Sequence, residues 1–92
     1  MGAHVLLVED SALVVSALRV LLEDFGYRVS AAATVRDALA AAAAAPPDVM
    51  LLDLSLPDGN GLSVLEHLSA AGAAPRVTVA VTGRDEPEVR AR

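Results

Sequence analysis

The short apolar run at residues 49–52 constrains the fold of this chain more than any other feature. It lies between Asp48 and Asp53; two prolines precede it, and a cluster of Pro, Gly and Asn residues follows. Continuous apolar runs of this length are typical of strands that a parallel sheet buries on both faces. Ligands of open α/β sheets bind beyond the carboxyl ends of the strands. The sequence therefore indicates Asp53 as the residue where chemistry is expected.

Strand-like and helix-like segments alternate along the whole chain. Residues 4–8 form a second continuous apolar run, and apolar residues recur at three- and four-residue spacing between Ser11 and Gly26. The pattern predicts strands at residues 4–8, 27–33, 48–53 and 76–82, helices at about 12–25, 34–45 and 61–71, and the start of a fourth helix near Asp85. We therefore expect an α/β fold, a flavodoxin-like doubly wound parallel sheet of strand order 2-1-3-4 in three α/β/α layers.

The composition limits the class of protein. The net charge of -5 argues against nucleic acid as a direct partner, because there is no excess of cations to neutralise phosphates. No cysteine is present, which excludes disulfides and thiolate metal sites and suits a cytoplasmic protein. No segment approaches the roughly 18 apolar residues of a membrane helix, so no membrane partner is expected. All seven basic residues are arginine.

Acidic side chains follow the first and third predicted strands. In a flavodoxin-like order these strands are adjacent, so Glu9, Asp10 and Asp53 converge. Clustered carboxylates either have raised pKa values or share a cation, and an all-oxygen cluster favours a hard ion, so Mg²⁺ is the predicted cofactor. A carboxylate beside such an ion can form an aspartyl phosphate. Thr82, at the end of the fourth strand, can donate its hydroxyl to a phosphoryl oxygen, and Gly83 lets that oxygen approach the backbone.

Three motifs carry a family resemblance. They are VLLVED at residues 5–10, DLSLPDGNG at residues 53–61 and VAVTG at residues 79–83. In this order and spacing the chain resembles the receiver domain of bacterial two-component response regulators. The resemblance implies that Asp53 accepts a phosphoryl group from a sensor histidine kinase or a phosphotransfer protein.

The resemblance also implies roles for the residues around Asp53. Glu9, Asp10 and Asp53 would hold Mg²⁺ together with the backbone carbonyl of Ser55. Thr82 would be the switch hydroxyl, and the backbone of Leu54 and Gly83 would bind the phosphoryl group. Such a domain phosphorylates and dephosphorylates itself without being an enzyme for an external substrate.

The chain departs from the family pattern after its fourth strand. The family places a lysine at the end of a fifth strand and then adds a fifth helix, and residues 1–92 contain neither. We therefore expect a receiver domain that is incomplete at its C-terminus. The fourth strand would then be a sheet edge, and an apolar edge favours a homodimer or a strand-swapped dimer.

Two other functions stay open. A non-switching pseudo-receiver, an interaction module without the lysine and the output face, would keep the fold but not signal. A phosphatase of the haloacid dehalogenase type also uses an aspartate after a strand, but it needs a second acid where this chain has Ser55. Simpler structural roles are predicted for three further residues: Asp58 as a turn residue, and His4 and His67 as solvated side chains.

Overall fold

The computed structural model describes residues 2–81 of the chain. Six strands and three helices follow one another along it. In chain order they are β1 (His4–Val8), α1 (Ala12–Asp24), β2 (Arg28–Ala32), α2 (Val35–Ala44), β3 (Val49–Asp53), β4 (Ser55–Leu56), β5 (Gly59–Asn60), α3 (Leu62–Ala70) and β6 (Val77–Val81). The helix that the sequence predicts near Asp85 lies outside the described residues.

Four parallel strands form the main sheet, in the order β2-β1-β3-β6. The strand predicted at residues 76–82 is β6, so the predicted flavodoxin-like order is confirmed. β1 pairs with β3 through Val5↔Val49 to Val8↔Leu52, and β3 pairs with β6 through Val49↔Val77 to Asp53↔Val81. The sequence did not predict the second sheet, a two-residue antiparallel pair of β4 and β5 that follows Asp53.

The best-packed part of the core lies between the sheet and the helices α2 and α3. The four apolar residues of β1, Val5 to Val8, are buried, as the continuous apolar run predicts. Alanines on one face of α2 allow this helix to approach the sheet closely, and Ala38 is fully buried. The buried cluster consists of Leu6, Val8, Ala32, Ala38, Ala42, Met50, Leu52, Val64 and Leu68.

The opposite face of the sheet is covered less completely. The apolar spacing of α1 predicts a packed face, yet none of the residues of this helix is buried. Leu21 is 53% exposed, Phe25 just beyond the helix is 72% exposed, and Val79 on the edge strand β6 is 44% exposed. Within residues 2–81, α1 and the strand β6 thus leave an apolar surface in contact with solvent.

Side chains and glycines define the helix ends. The Ser11 and Thr34 oxygens accept the backbone N–H groups of Val14 and Asp37, so these residues are the N-caps of α1 and α2. Gly26 has a φ of 92°, a conformation that favours glycine and lets the chain leave α1 for β2.

His4 is buried, which contradicts the predicted solvated side chain. It is 4% exposed, and its Nε2 lies 2.8 Å from the Ser30 hydroxyl. Its Nδ1 lies 3.4 Å from the Pro46 carbonyl oxygen. The prediction failed because the chain around Pro46 closes over the start of β1. His67 is exposed, as expected.

Candidate functional site

The candidate site lies where the two central strands end. Val8 and Leu52 are register partners, so the residues after them, Glu9 and Asp53, emerge side by side. The Glu9 N–H donates to the Ala32 carbonyl at 2.9 Å and continues the ladder beyond β1. Asp53 is only 6% exposed, although it is a charged residue.

Glu9, Asp10 and Asp53 form a cluster of carboxylates. One oxygen of each lies within 4.8 Å of the others. A cluster of this size fits a single hard cation, because carboxylate oxygens are ligands that Mg²⁺ accepts, and Mg²⁺ retains water at its other positions. These donors are all oxygen atoms, with no imidazole or thiolate among them, and so disfavour zinc. The residues present therefore suit the predicted Mg²⁺.

The electrostatics of the cluster favour a proton or a cation. Burial raises the pKa of Glu9 above its ordinary value of 4.5, and the neighbouring charges of Asp53 and Asp10 raise it further. The Ser11 N–H, 3.1 Å from Glu9 Oε2, acts in the opposite direction and lowers this pKa. The net increase in the pKa of Glu9 means that its charged form is disfavoured here, and a bound cation would favour that form.

The segment after Asp53 is held against the site by backbone contacts. The Ser55 N–H donates to Asp53 Oδ1 at 3.0 Å and orients that carboxylate. The Gly61 N–H donates to the Leu54 carbonyl at 3.0 Å. Gly61 also approaches the strand end so closely that a Cβ at this position would lie 2.0 Å from the Asp53 carbonyl oxygen. Only glycine therefore fits here without movement of the strand end.

Asp58 has a contact that the sequence did not predict. It lies in the turn between β4 and β5, as expected, but its carboxylate also accepts the N–H groups of Val35 at 2.7 Å and Arg36 at 3.1 Å. These bonds lower the pKa of Asp58 below its ordinary value of 3.8. The sequence contained one signal for this contact, because an aspartate in a turn can accept N–H groups at the start of a helix. Many turn aspartates have this property, so the signal does not identify the contact.

The other predicted site residues differ in what the structure says of them. Ser55 lies two residues after Asp53, and the Leu54 N–H donates to the Val81 carbonyl at 3.3 Å. A phosphoryl oxygen that accepts from Leu54 would have to share this N–H with the Val81 carbonyl or displace that carbonyl. Thr82 and Gly83 lie outside the described residues. Beside Asp53, a small cleft lined by Val14, Leu18 and Val81, among others, opens between α1 and β6.

Known proteins resemble this chain in both sequence and structure. The family model "Response regulator receiver domain" matches residues 5–92. The transcriptional regulatory protein KdpE of Mycobacterium tuberculosis is 40% identical over 87 residues, which are 95% of this chain and 38% of that protein. The chain thus spans well under half the length of this relative. In the described residues, no helix has the length and apolar character needed to cross a membrane.

Two solved structures show the same fold. The MaeR response regulator bound to beryllium trifluoride superposes with a TM-score of 0.81 at 28% identity, over 96% of this chain and 73% of MaeR. A CheY-like receiver domain from Methylobacillus flagellatus gives a TM-score of 0.81 at 30% identity, over 91% of this chain and 72% of that one.

Proposed function

Since this chain belongs to the family of response regulator receiver domains, we propose that it is a phosphoacceptor module of a two-component phosphorelay. Asp53 takes the phosphoryl group from a sensor histidine kinase or a phosphotransfer protein. An O–P bond forms on Asp53 as the P–N bond to the donor histidine breaks, and the imidazole takes up a proton. The observation that carries this proposal is the convergence of three carboxylates at the ends of two adjacent central strands.

Glu9, Asp10 and Asp53, with the backbone carbonyl of Ser55, hold Mg²⁺ in this proposal. The ion, when bound, neutralises charge on the transferring phosphoryl oxygens. The Ser55 N–H keeps the Asp53 carboxylate in one orientation, because it is bonded to Oδ1 at 3.0 Å. A carboxylate oriented in advance loses less entropy when the phosphoryl donor arrives.

The remaining residues act on the transferred group. The Thr82 hydroxyl donates to a phosphoryl oxygen and serves as the switch, and the backbone of Leu54 and Gly83 contacts the same group. Attack of a positioned water later removes the phosphate, so the chain carries out its own dephosphorylation and no reaction on an external substrate. We place the protein in the cytoplasm, where its phosphoryl donor acts.

We further propose that the isolated chain associates through β6 as a homodimer or a strand-swapped dimer. The edge strand exposes three valines, Val77, Val79 and Val81, by 44–50%. An apolar edge with unpaired backbone groups is a template for a strand of another chain.

The phosphoacceptor function is tested with a small-molecule donor. The chain is incubated with acetyl phosphate and Mg²⁺, and its intact mass is measured. We expect a phosphoryl adduct in the wild type and no adduct in Asp53→Asn. Asp48→Asn is the matched control, because Asp48 lies at the opposite end of the same strand, where its carboxylate accepts the His4 N–H at 2.8 Å. This control is expected to form the adduct.

The other outcomes assign the other functions. A folded wild type that forms no adduct supports the non-switching pseudo-receiver and refutes the proposal. Sustained hydrolysis of phosphomonoesters supports the phosphatase of the haloacid dehalogenase type. An adduct that persists in Asp53→Asn places the phosphoryl group on another residue.

A further inference from the structure

The first turn of α2 is completed by a residue distant in the sequence. The Thr34 hydroxyl accepts the N–H of Asp37 at 2.9 Å, which is one of the N–H groups at a helix start that lack an intrahelical partner. The two preceding N–H groups, those of Val35 and Arg36, donate to the two carboxylate oxygens of Asp58. Asp58 follows these residues by 23 and 22 positions. Its carboxylate therefore connects two separate parts of the chain.

The other end of this connection is the Asp53 site. Asp58 lies at the tip of the β4–β5 pair, in which Ser55 pairs with Asn60 and Leu56 with Gly59. At the base of the pair, the Ser55 N–H donates to the Asp53 carboxylate, as described above. Asp58 thus fixes the tip of the same short segment whose base orients the phosphoacceptor.

We infer that Asp58 is a positioning residue for the Asp53 site, which it serves by binding the β4–β5 pair to the start of α2. The inference rests on the proposed function in one respect, because it assigns a role toward the phosphoacceptor. With the tip held, the backbone of Leu54 and Ser55 keeps its place beside Asp53. Without the contact, the pair keeps its short ladder, the packing of Leu56 on the core and the bonds of Asn60 to α3, but it loses its bonds to the start of α2. A ladder this short is marginally stable by itself, so the tip becomes freer to move.

The charge of Asp58 suits this role. Hydrogen bonds from N–H groups to an ionised carboxylate are shorter and stronger than neutral ones, and a negative charge is favourable at a helix N-terminus. The same bonds lower the pKa of Asp58 below its ordinary value, because they stabilise the ionised carboxylate. A role in the stability of α2 alone would not require the contact to come from the segment that follows the phosphoacceptor.

Two variants of Asp58 and a matched control separate positioning from simple capping. Asp58→Ala removes both acceptor oxygens of the side chain, and Asp58→Asn retains one of them. Thr34→Ala removes the other side-chain cap of the same helix and leaves the β4–β5 pair untouched. Amide hydrogen exchange is followed by NMR at Ser55 and Gly61, the two amides that hold the base of the segment. Mg²⁺ affinity is measured by calorimetry and adduct formation by intact mass.

We expect Asp58→Ala to accelerate exchange at Ser55 and Gly61 by about three- to tenfold, as loss of a helix cap does for the amides that depend on it. Asp58→Asn is expected to give an intermediate effect. Mg²⁺ affinity and the rate of adduct formation should fall in the same order. Thr34→Ala is expected to accelerate exchange at Asp37 and to leave Ser55, Gly61 and the Mg²⁺ affinity as in the wild type.

The inference is overturned if Asp58→Ala accelerates exchange only at Val35 and Arg36 and binds Mg²⁺ as Thr34→Ala does. Failure of the proposed function has a different signature. In that case the wild type itself forms no adduct, and the exchange rates at Ser55 and Gly61 still decide whether Asp58 holds the segment.

Discussion

Replacement of Gly61 by alanine is expected to destabilise the fold and to disturb the site at the same time. Gly61 has φ -57° and ψ -27°, angles that any residue adopts, so the backbone itself does not require glycine. At such angles, replacement of glycine by alanine would by itself stabilise the protein by about 0.4–1 kcal/mol, because the unfolded chain becomes less flexible. The obstacle is space: the new Cβ would lie 2.0 Å from the Asp53 carbonyl oxygen and 3.2 Å from Leu52 Cδ1.

The depth of this overlap sets the magnitude. Carbon and oxygen atoms in close non-bonded contact are about 3.3 Å apart, so Asp53 and the segment after it must separate by roughly 1 Å. Overpacking of a well-packed site costs about 1–3 kcal/mol, and an overlap with backbone belongs at the upper end. After subtraction of the gain of up to about 1 kcal/mol from the less flexible unfolded chain, we expect a net loss of about 2 kcal/mol. In a domain of this size that lowers the melting temperature by about 10 °C.

The same movement reaches the proposed metal ligands. A shift of the Asp53 backbone also moves its carboxylate, and the loss of supporting contacts around a metal site typically reduces affinity by about tenfold or more. We therefore expect Gly61→Ala to bind Mg²⁺ at least several-fold more weakly than the wild type and to form the phosphoryl adduct more slowly.

Gly72→Ala is the matched control, since it is the same chemical change in the same part of the chain. Gly72 has a φ of 71°, and a Cβ there would meet nothing within 4 Å. Its cost is conformational, about 1–2 kcal/mol, and carries no displacement of Asp53. Thermal unfolding and calorimetric Mg²⁺ titration of both variants test the argument. If the melting temperature of Gly61→Ala equals that of the wild type, or if both variants bind Mg²⁺ equally, the predicted steric effect is wrong.

Three further predictions concern other parts of the molecule. Because the pKa of Glu9 is raised, Glu9 stabilises the metal-free wild type below pH 4.5, and this contribution is lost as the pH rises through the raised pKa. In thermal melts with a chelator near pH 7, Glu9→Gln should therefore be more stable than the wild type. Addition of Mg²⁺ should abolish this difference in stability. Asn60→Ala should cost about 1 kcal/mol in urea titrations, because Asn60 Oδ1 accepts the Leu62 N–H at the start of α3; an unchanged midpoint would argue against this cap. Val79→Lys should weaken self-association in sedimentation velocity, because it places a charge on the exposed edge strand; a wild type that is already monomeric at high concentration would contradict the proposed dimer.

The central strands and their acids were predictable from the sequence because their signal is local. Residues 49–52 are continuously apolar, so they are expected on a strand that is covered on both faces. The polar residue that ends such a strand then lies where the strands of the sheet end. The same holds for residues 4–8 and Glu9. That β1 and β3 are adjacent could be predicted from the topology that alternating β and α elements prefer.

Asp58 and His4 show where local signals end. Pro57, Asp58 and Gly59 are all common turn residues, so a turn accounts for the presence of each. The neighbouring sequence does not indicate that the Asp58 carboxylate contacts the start of a helix more than 20 positions earlier. His4 begins a strand, which suggests exposure, yet the Ser30 hydroxyl and the Pro46 carbonyl enclose it. Both side chains find partners that exist only once the tertiary fold is formed.

The unequal covering of the two faces of the sheet bears on the proposed association through β6. The acids extend from β1 and β3, whose residues are the best buried in the described part of the chain, and α2 and α3 hold that half together. Most of the exposed large apolar residues belong instead to α1 and the edge strand β6. Asp53 is the register partner of Val81 in β6, so the proposed association through β6 would act on the strand that adjoins Asp53. The cleft beside Asp53 lies between α1 and β6, so a partner that covers both elements would also limit the access of solvent to Asp53.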